Sequence, residues 1–310
     1  ASQYPDLPPE RGLLRDKDGA LIAVNRPKGV LQSAITANND FYVVTKNAGG
    51  DPVLQARDWR VVIDGAVNSP VQLDYLTLRR LPQVSVFKTL ECISNLTTKC
   101  DLTAFGCDLI STAKWTGARL FDVLALAGGL KPGVATIAAY GADEFSSALP
   151  ADVANDPEAM LAYEMNDQIL PREHGFPVRL IVPNHYGFKN TKWLVNIKPM
   201  TSQFLDWYGQ RNWNHDGIVK TMSRIDEPVP GTTIKAGTTR IAGIAYGGAR
   251  KISKVEYSAD GGKTWQAAKL EQALGKDAFV RWQGAFSAAA GQTIELMSRA
   301  ADGDGQLQIE

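Results

Sequence analysis

The sequence predicts an α+β protein with two domains, a mixed α/β domain over residues 1–215 and an all-β domain over residues 216–310. The length favours two domains, because a domain averages ~150 residues and the chain has 310. The pattern changes along the chain as well. Helical and strand-like runs alternate at first, whereas short alternating runs separated by turn residues predominate after residue 215.

The elements of the first domain follow in order. Residues 1–35 are polar and rich in Pro and Gly, which is typical of an extended arm. Two runs with helical spacing end at a helix breaker, residues 73–81 before Pro82 and residues 120–127 before Gly128. Strands are predicted for residues 59–64, 84–90, 134–140, 160–164 and 178–182.

The second domain is predicted to be an antiparallel β sandwich. Runs such as TTRIAGIAY, KISKVEYSA and VRWQGAF alternate apolar and polar residues, and they are separated by Pro-Gly, Gly-Gly and Asp-Gly turns. Short strands at this spacing are typical of sandwiches, in which one face of each strand is buried.

The composition excludes several classes of protein. Hydrophobic residues make up 44% of the chain and charged residues 21%, which is globular rather than disordered. Lys and Arg (33) balance Asp and Glu (33), and no basic run is present, so no nucleic-acid partner is expected. No segment approaches the ~20 apolar residues of a membrane-spanning helix. The chain opens with Ala1 instead of Met, and we expect an exported, periplasmic protein processed from a precursor.

The common motifs for zinc, haem, dinucleotides, nucleoside triphosphates and serine nucleophiles are absent from the sequence. A single cysteine, Cys92, stands out because it directly follows the apolar strand that ends at Glu91. A thiolate at a strand end can act as a nucleophile or as a ligand for a soft metal. The alternative is a buried cysteine that packs as a small hydrophobic residue.

A second candidate region is rich in donors. The segment HGFPVR (residues 174–179) and the segment YGFKNTKW (residues 186–193) combine His, Arg and Lys with two glycines. Such donors suit a phosphate or another anionic cofactor group, and glycine permits close backbone approach. The alternative is a solvated basic hairpin.

Four segments together resemble the sulfite-oxidase family of molybdenum enzymes: LECISN, KWTGARLFDVLALAG, LAYEMNDQILPREHGFPVRLIVPNHYGFKNTKW and RKISKVEYSADGGKTWQAAKL. Their order and approximate spacing match from about residue 35 to residue 303. The resemblance implies a mixed α/β sulfite-oxidase-type domain that buries one molybdenum–molybdopterin cofactor. It also implies a C-terminal immunoglobulin-like domain, often called the dimerisation domain, so a homodimer is one expectation.

The resemblance also implies roles for individual residues. Cys92 matches the cysteine that binds molybdenum, and Trp213 falls by spacing where the family carries an active-site tyrosine. Asn39 and Tyr42 are similar to cofactor contacts of the bacterial methionine-sulfoxide-reductase branch. The implied cofactor contacts are Asn39, Tyr42, Cys92, Asp143, His174, Arg179, Phe188, Lys189, Asn190, Thr191 and Lys192.

Several positions depart from the family pattern. Val44 and Lys46 stand where sulfite oxidases carry Arg and His, and Leu96 and Thr97 stand where they carry two Arg. Because a sulfur oxyanion is normally held by charge-assisted Arg hydrogen bonds, we expect a poor sulfite oxidase whose substrate is less charged.

The activity implied by the resemblance is two-electron oxygen-atom transfer on a small molecule, with the electrons passed to an external carrier such as a cytochrome. The alternatives are sulfite oxidation proper, a sulfoxide-type reductase, and a cofactor-free binding protein. A disulfide between Cys100 and Cys107 is one expectation, because the two residues share one loop of an exported chain and Gly106 lets that loop turn back. The alternative is two free thiols.

Overall fold

The computed structural model describes residues 3–12, 21–23, 27–47, 49–96, 108–212 and 216–309. Several of the expectations above concern residues outside these ranges, namely Thr97, Cys100, Cys107 and Trp213.

The helices of the first domain are α1 (Tyr75–Arg80) and α2 (Leu120–Leu126). Its strands are β1 (Leu21–Ala23), β2 (Val43–Thr45), β3 (Arg60–Ile63), β4 (Val71–Asp74), β5 (Gln83–Glu91), β6 (Ile110–Arg119), β7 (Thr136–Gly141), β8 (Ser146–Pro150), β9 (Met160–Met165), β10 (Gln168–Ile169), β11 (Arg179–Ile181) and β12 (Leu194–Met200).

Two five-stranded sheets build the first domain. One has the order β10-β9-β6-β5, with β11 also paired to β9, and the other has the order β4-β3-β12-β7-β8. Strands β1 and β2 form a separate antiparallel pair. A single hydrophobic cluster joins the two large sheets and both helices, with Val61, Leu161 and Ile197 fully buried within it. The domain is therefore a layered α/β body with its core between the sheets.

Local chemistry sets the ends of the helices. The side chain of Asp74 accepts a hydrogen bond from Thr77 N at 2.8 Å and caps α1 at its N-terminus. Leu73, predicted to be helical, therefore lies in β4, before the cap. Helix α2 ends at Leu126, and two residues later Gly128 and Gly129 have φ angles of 73° and 79°, in the left-handed region that favours glycine.

The second domain contains β13 (Met222–Glu227), β14 (Gly237–Tyr246), β15 (Ile252–Ser258), β16 (Gln266–Ala267), β17 (Lys269–Leu270), β18 (Val280–Ala288) and β19 (Met297–Asp302). They form sheets of order β13-β14-β18-β17 and β16-β15-β19. Trp282 is fully buried between them, and the ring of Tyr257 stacks on it at 6.4 Å between centroids. The predicted α+β fold, with an all-β sandwich following a mixed domain, is confirmed.

The five predicted strands of the first domain correspond to β3, β5, β7, β9 and β11. Strands β6 and β12 were not predicted, because Ser, Thr, Lys and Gly interrupt the apolar pattern of β6, and Asn, Lys and Pro interrupt that of β12. No helix among the described residues is long and apolar enough to cross a membrane.

Candidate active site

Strand β5 delivers Cys92 to the wall of a cavity of about 470 Å³. A tight turn fixes the backbone there, since Cys92 N donates to Leu109 O at 2.9 Å and Asn95 N donates to Cys92 O at 2.9 Å. Burial raises the pKa of the Cys92 thiol, and hydrogen bonds from Ser94 lower it in part. Because burial disfavours the charged form, a cation bound next to the sulfur would be needed to stabilise the thiolate.

Arg179 places a buried guanidinium at the cavity. Its two terminal nitrogens donate to His174 O at 3.0 Å and to Asn190 O at 2.8 Å, and its guanidinium lies 5.1 Å from the centroid of a Trp115 ring. Burial lowers the pKa of Arg179 to about 10, so it remains a cation at neutral pH. Its Nε is buried and has no hydrogen-bond partner in the described part of the chain, which leaves one donor for a ligand.

Lys192 and His174 also line the cavity, as Arg179 does. Lys192 Nζ donates to Val44 O at 3.2 Å and to Glu173 O at 3.0 Å. Burial lowers the pKa of Lys192 to about 8. Burial, Arg179 and Lys192 together hold the pKa of His174 well below its usual range, so its imidazole is neutral at pH 7.

Close backbone approach shapes the cavity at Gly187. A Cβ at this position would lie 2.7 Å from the hydroxyl oxygen of Tyr42, so no larger residue fits without movement. Burial and the nearby Cys92 raise the pKa of the Tyr42 phenol well above its usual value, so the hydroxyl stays protonated. The cavity therefore has a narrow edge where backbone and phenol meet.

The cavity also has an aromatic wall made of Phe145, Phe188, Trp207 and Tyr208. The ring centroid of Tyr208 is 4.9 Å from that of Trp207, 5.2 Å from Phe188 and 5.7 Å from Phe145. Burial and the Cys92 thiol raise the pKa of Tyr208 to about 12, so a neutral phenol faces the sulfur. Of these four residues, only Phe188 was named from the sequence.

Two cations flank the aromatic wall. The guanidinium of Arg211 lies 3.5 Å from the centroid of a Trp207 ring and donates to Trp207 O at 2.7 Å. Lys46 Nζ lies 5.7 Å from a Trp207 ring centroid and donates to Asp143 O at 2.7 Å. Both residues line the cavity. The run FLDWYGQR, with aromatic residues next to an Arg, is the sequence signal that would have indicated this wall.

Most of the predicted site residues line this one cavity: Tyr42, Cys92, Asp143, His174, Arg179, Phe188, Asn190, Thr191 and Lys192. Two do not. Asn39 is exposed outside the cavity, and Lys189 is buried in an ion pair with Asp206. Trp213 lies outside the described residues. Further lining residues that were not assigned to the site from the sequence include Phe41, Val43, Thr45, Leu90, Ile93, Ser94, Phe145, Glu173, Gly187, Trp193, Trp207 and Tyr208.

The residues present fit a molybdenum cofactor. A thiol is a soft ligand of the kind that such a metal takes, and Cys92 presents it at the cavity wall. The buried donor of Arg179, with Lys192 beside it, fits the anionic end of an organic cofactor. Fold and site together define a class, a cofactor-dependent oxidoreductase whose α/β domain presents a cysteine at the cavity wall and precedes a β sandwich.

Comparison with known proteins gives the family. The family model described as "Oxidoreductase molybdopterin binding domain" matches residues 48–208, and "Mo-co oxidoreductase dimerisation domain" matches residues 216–309. The chain belongs to the sulfite-oxidase family of molybdopterin-dependent oxidoreductases, and its cofactor is molybdenum–molybdopterin.

Three relatives show the extent of this similarity. The mitochondrial sulfite oxidase of Homo sapiens is 35% identical over 79% of this chain and 51% of its own length, so the chain spans about half of that relative. The sulfite oxidase of Arabidopsis thaliana is 28% identical over 100% of this chain and 91% of its own length. The crystal structure of the sulfane dehydrogenase SoxCD from Paracoccus pantotrophus superposes with a TM-score of 0.83 at 26% identity, covering 97% of this chain and 81% of that one.

Proposed function

We propose that this protein catalyses two-electron oxygen-atom transfer on a small sulfur-containing molecule and passes the electrons to an external carrier. One observation carries the proposal. Cys92 lies in a cavity that is lined both by the cations of Arg179 and Lys192 and by the aromatic wall. The cations fit a cofactor, and the aromatic wall fits a substrate. When bound, the cofactor supplies the redox chemistry.

We assign three roles to residues of the chain: holding the metal, holding the cofactor and orienting the substrate. The sulfur of Cys92 would hold the metal, and Arg179, His174 and Lys192 would hold the anionic end of the cofactor. The neutral phenol of Tyr208 and the ring of Trp207 would orient the substrate and exclude water from it.

The surroundings of Trp207 favour a particular substrate chemistry. Arg211 and Lys46 supply positive charge next to the apolar ring of Trp207. This pattern suits an anion that also carries a polarisable or organic part, because the ring contacts that part while the cations contact the charge. We expect such a substrate to be preferred over sulfite, whose charge is concentrated and which has no apolar part.

The electron carrier and the assembly are part of the same proposal. A cytochrome-type carrier, periplasmic localisation and a homodimer formed through residues 216–310 are expected. The match of residues 216–309 to a dimerisation domain supports the last of these. Cell fractionation checks the localisation, and sedimentation of the full chain at micromolar concentration checks the dimer.

A metal and substrate assay tests the function. Purified protein is expected to contain about one molybdenum per chain, and removal of the metal should abolish turnover. Sulfite and thiosulfate are assayed with an artificial electron acceptor, and an aryl sulfoxide with an artificial donor. We expect kcat/KM for sulfite at least about a hundredfold below ~10⁶ M⁻¹s⁻¹, because the arginines that hold this anion are missing. Metal-free protein with no turnover of any of the three substrates would contradict the proposal.

A further inference from the structure

Behind the aromatic wall, Lys189 and Asp206 form a buried ion pair. Lys189 Nζ lies 2.6 Å from Asp206 Oδ2, and the exposed fractions of the two side chains are 0% and 2%. Neither residue lines the cavity, although their chain neighbours Phe188, Asn190 and Trp207 do. A ligand in the cavity therefore does not reach the ammonium group, and its effect must pass through the segments that the pair connects.

The pair connects three segments. Lys189 ends a short helical turn, Gly187–Lys189, in the loop predicted to hold the cofactor. Its Nζ also donates to Ala148 O of β8 at 2.9 Å. Asp206 Oδ2 accepts a hydrogen bond from Ala148 N at 3.0 Å. The carboxylate and the ammonium therefore bind the backbone NH and the carbonyl oxygen of the same residue of β8.

Asp206 also organises the segment that carries the wall. Its Oδ1 accepts a hydrogen bond from Gly209 N at 2.8 Å, at the first residue of the helical turn Gly209–Arg211. Trp207 and Tyr208 lie in the chain between Asp206 and this hydrogen-bonded residue. The backbone that carries their rings is therefore tied at both ends to one carboxylate.

The aliphatic part of Lys189 is held from the other side. A Cβ at Gly217 would lie 2.7 Å from Lys189 Cε and 2.8 Å from Lys189 Cγ, so the lysine side chain packs directly against this backbone. A buried ion pair costs desolvation that an apolar pair would not, and it stabilises a fold poorly. The hydrogen bonds of this pair are directional, in contrast, so they set the relative positions of the segments that they connect.

We propose that Lys189 and Asp206 are positioning residues for the substrate side of the site. They tie the cofactor loop to the segment 204–212 and hold the rings of Trp207 and Tyr208 at the cavity that contains Cys92. The kinetic part of this inference rests on the proposed function, whereas the structural part does not. The lysine acts through the wall and makes no contact with the cofactor.

Hydrogen exchange on cofactor-free protein tests the structural part. Lys189→Met should accelerate amide exchange in peptides covering residues 204–212 by about tenfold or more, because the Asp206 carboxylate that holds this segment loses its ion-pair partner. Lys189→Arg, which keeps the charge, should restore most of the protection. The matched control is Lys88→Met, which breaks a second buried ion pair, Lys88–Asp277, outside the cavity. It should leave exchange over 204–212 unchanged while lowering global stability.

Two exchange results would overturn the proposal. Unchanged protection of 204–212 in Lys189→Met would show that the pair does not hold the wall. Equal acceleration in Lys88→Met would show that global destabilisation, and not the pair, controls the segment.

Steady-state kinetics with sulfite as the substrate and an artificial electron acceptor test the kinetic part of the proposal. Lys189→Met should raise KM by about tenfold with kcat within about threefold, at unchanged molybdenum content. Molybdenum loss in proportion to activity would place Lys189 among the cofactor contacts and overturn the proposal. If wild-type protein shows no turnover, the proposed function fails, and the exchange measurement alone decides the role of the pair.

Discussion

The ammonium of Lys88 and the carboxylate of Asp277 join the two domains, with Lys88 Nζ 2.5 Å from Asp277 Oδ2. Both side chains are almost fully buried. The same carboxylate accepts hydrogen bonds from Tyr246 Oη at 2.7 Å and from Asn184 N at 2.7 Å. Because Lys88 lies on β5, the strand that ends just before Cys92, the sandwich is anchored directly to the element that positions the proposed metal ligand.

Breaking this pair should destabilise the whole chain. Lys88→Met leaves the Asp277 carboxylate buried without its cation, which typically costs ~3–5 kcal/mol. Chemical denaturation of the full chain measures the loss. Arg57→Met, which breaks an exposed ion pair with Asp58, is the control and should cost under ~1 kcal/mol. A similar small loss for both variants would show that the Lys88–Asp277 pair contributes little.

Replacing Cys92 should disrupt the metal centre without unfolding the protein. Cys92→Ser substitutes a hard hydroxyl for the soft thiolate, so the metal absorption spectrum should change and activity should fall at least about a hundredfold. Circular dichroism should stay as in the wild type. Ser94→Ala, which removes a neighbour hydrogen-bonded to the thiol, should keep the spectrum largely intact. An unchanged spectrum in Cys92→Ser would disprove the metal-ligand role.

Arg179 should determine how much cofactor the protein retains. Arg179→Met removes the buried cation and its unpartnered Nε donor, so the molybdenum and pterin content per chain should fall about tenfold or more. Arg179→Lys keeps a charge but loses the planar fork, so it should retain an intermediate amount. Metal analysis and pterin fluorescence after oxidation give the two contents. Full occupancy in Arg179→Met would refute the assignment.

Much of this site is visible in the sequence because its residues are close in the chain. Cys92 follows an apolar strand, and His174, Arg179 and Lys192 fall in one donor-rich region. The direction in which a side chain points, in contrast, could not be predicted from the sequence. Lys189 is three residues from Lys192, yet a helical turn directs it away from the cavity into the pair with Asp206.

The aromatic wall could not be assigned from the sequence for a related reason. Trp207 and Tyr208 lie more than a hundred residues after Cys92 in a segment without periodicity, and tertiary contacts such as the packing against Phe145 bring them to the cavity. Strand β6 was missed because polar residues occupy a strand that is buried at nearly every position. Burial on both faces removes the alternation from which strands are predicted.

The pKa of Lys192 predicts a pH dependence of anion binding. Burial disfavours the ammonium and lowers its pKa to about 8, while Asp51, Asp143 and Glu173 favour the charged form and Arg179 disfavours it. Above pH 8 the lysine of the cofactor-free protein loses its proton, so the affinity for inorganic pyrophosphate should fall, by at most about tenfold per pH unit. Arg179 keeps its proton up to about pH 10, and His174 is neutral throughout this range.

Calorimetry between pH 7 and pH 9.5 measures this dependence. Binding above pH 8 should take up a proton, because the anion restores the charge of Lys192. In Lys192→Met the affinity should be weaker at pH 7 and nearly independent of pH across this range. A wild-type profile that is equally flat would show that Lys192 does not contact the anion.

The substrate itself should be selected at Arg211. Its guanidinium lies against the Trp207 ring at the cavity, so Arg211→Gln removes charge next to an apolar surface that stays in place. KM for an anionic substrate such as thiosulfate should rise by about tenfold, because one charge-assisted hydrogen bond is worth ~1.5–3 kcal/mol. KM for a neutral aryl sulfoxide should change by less than about twofold. The exposed Arg57, changed to Gln, is the matched control and should alter neither value. Equal effects of Arg211→Gln on the charged and the neutral substrate would mean that the residue only supports the wall, and that charge selection at this site occurs elsewhere.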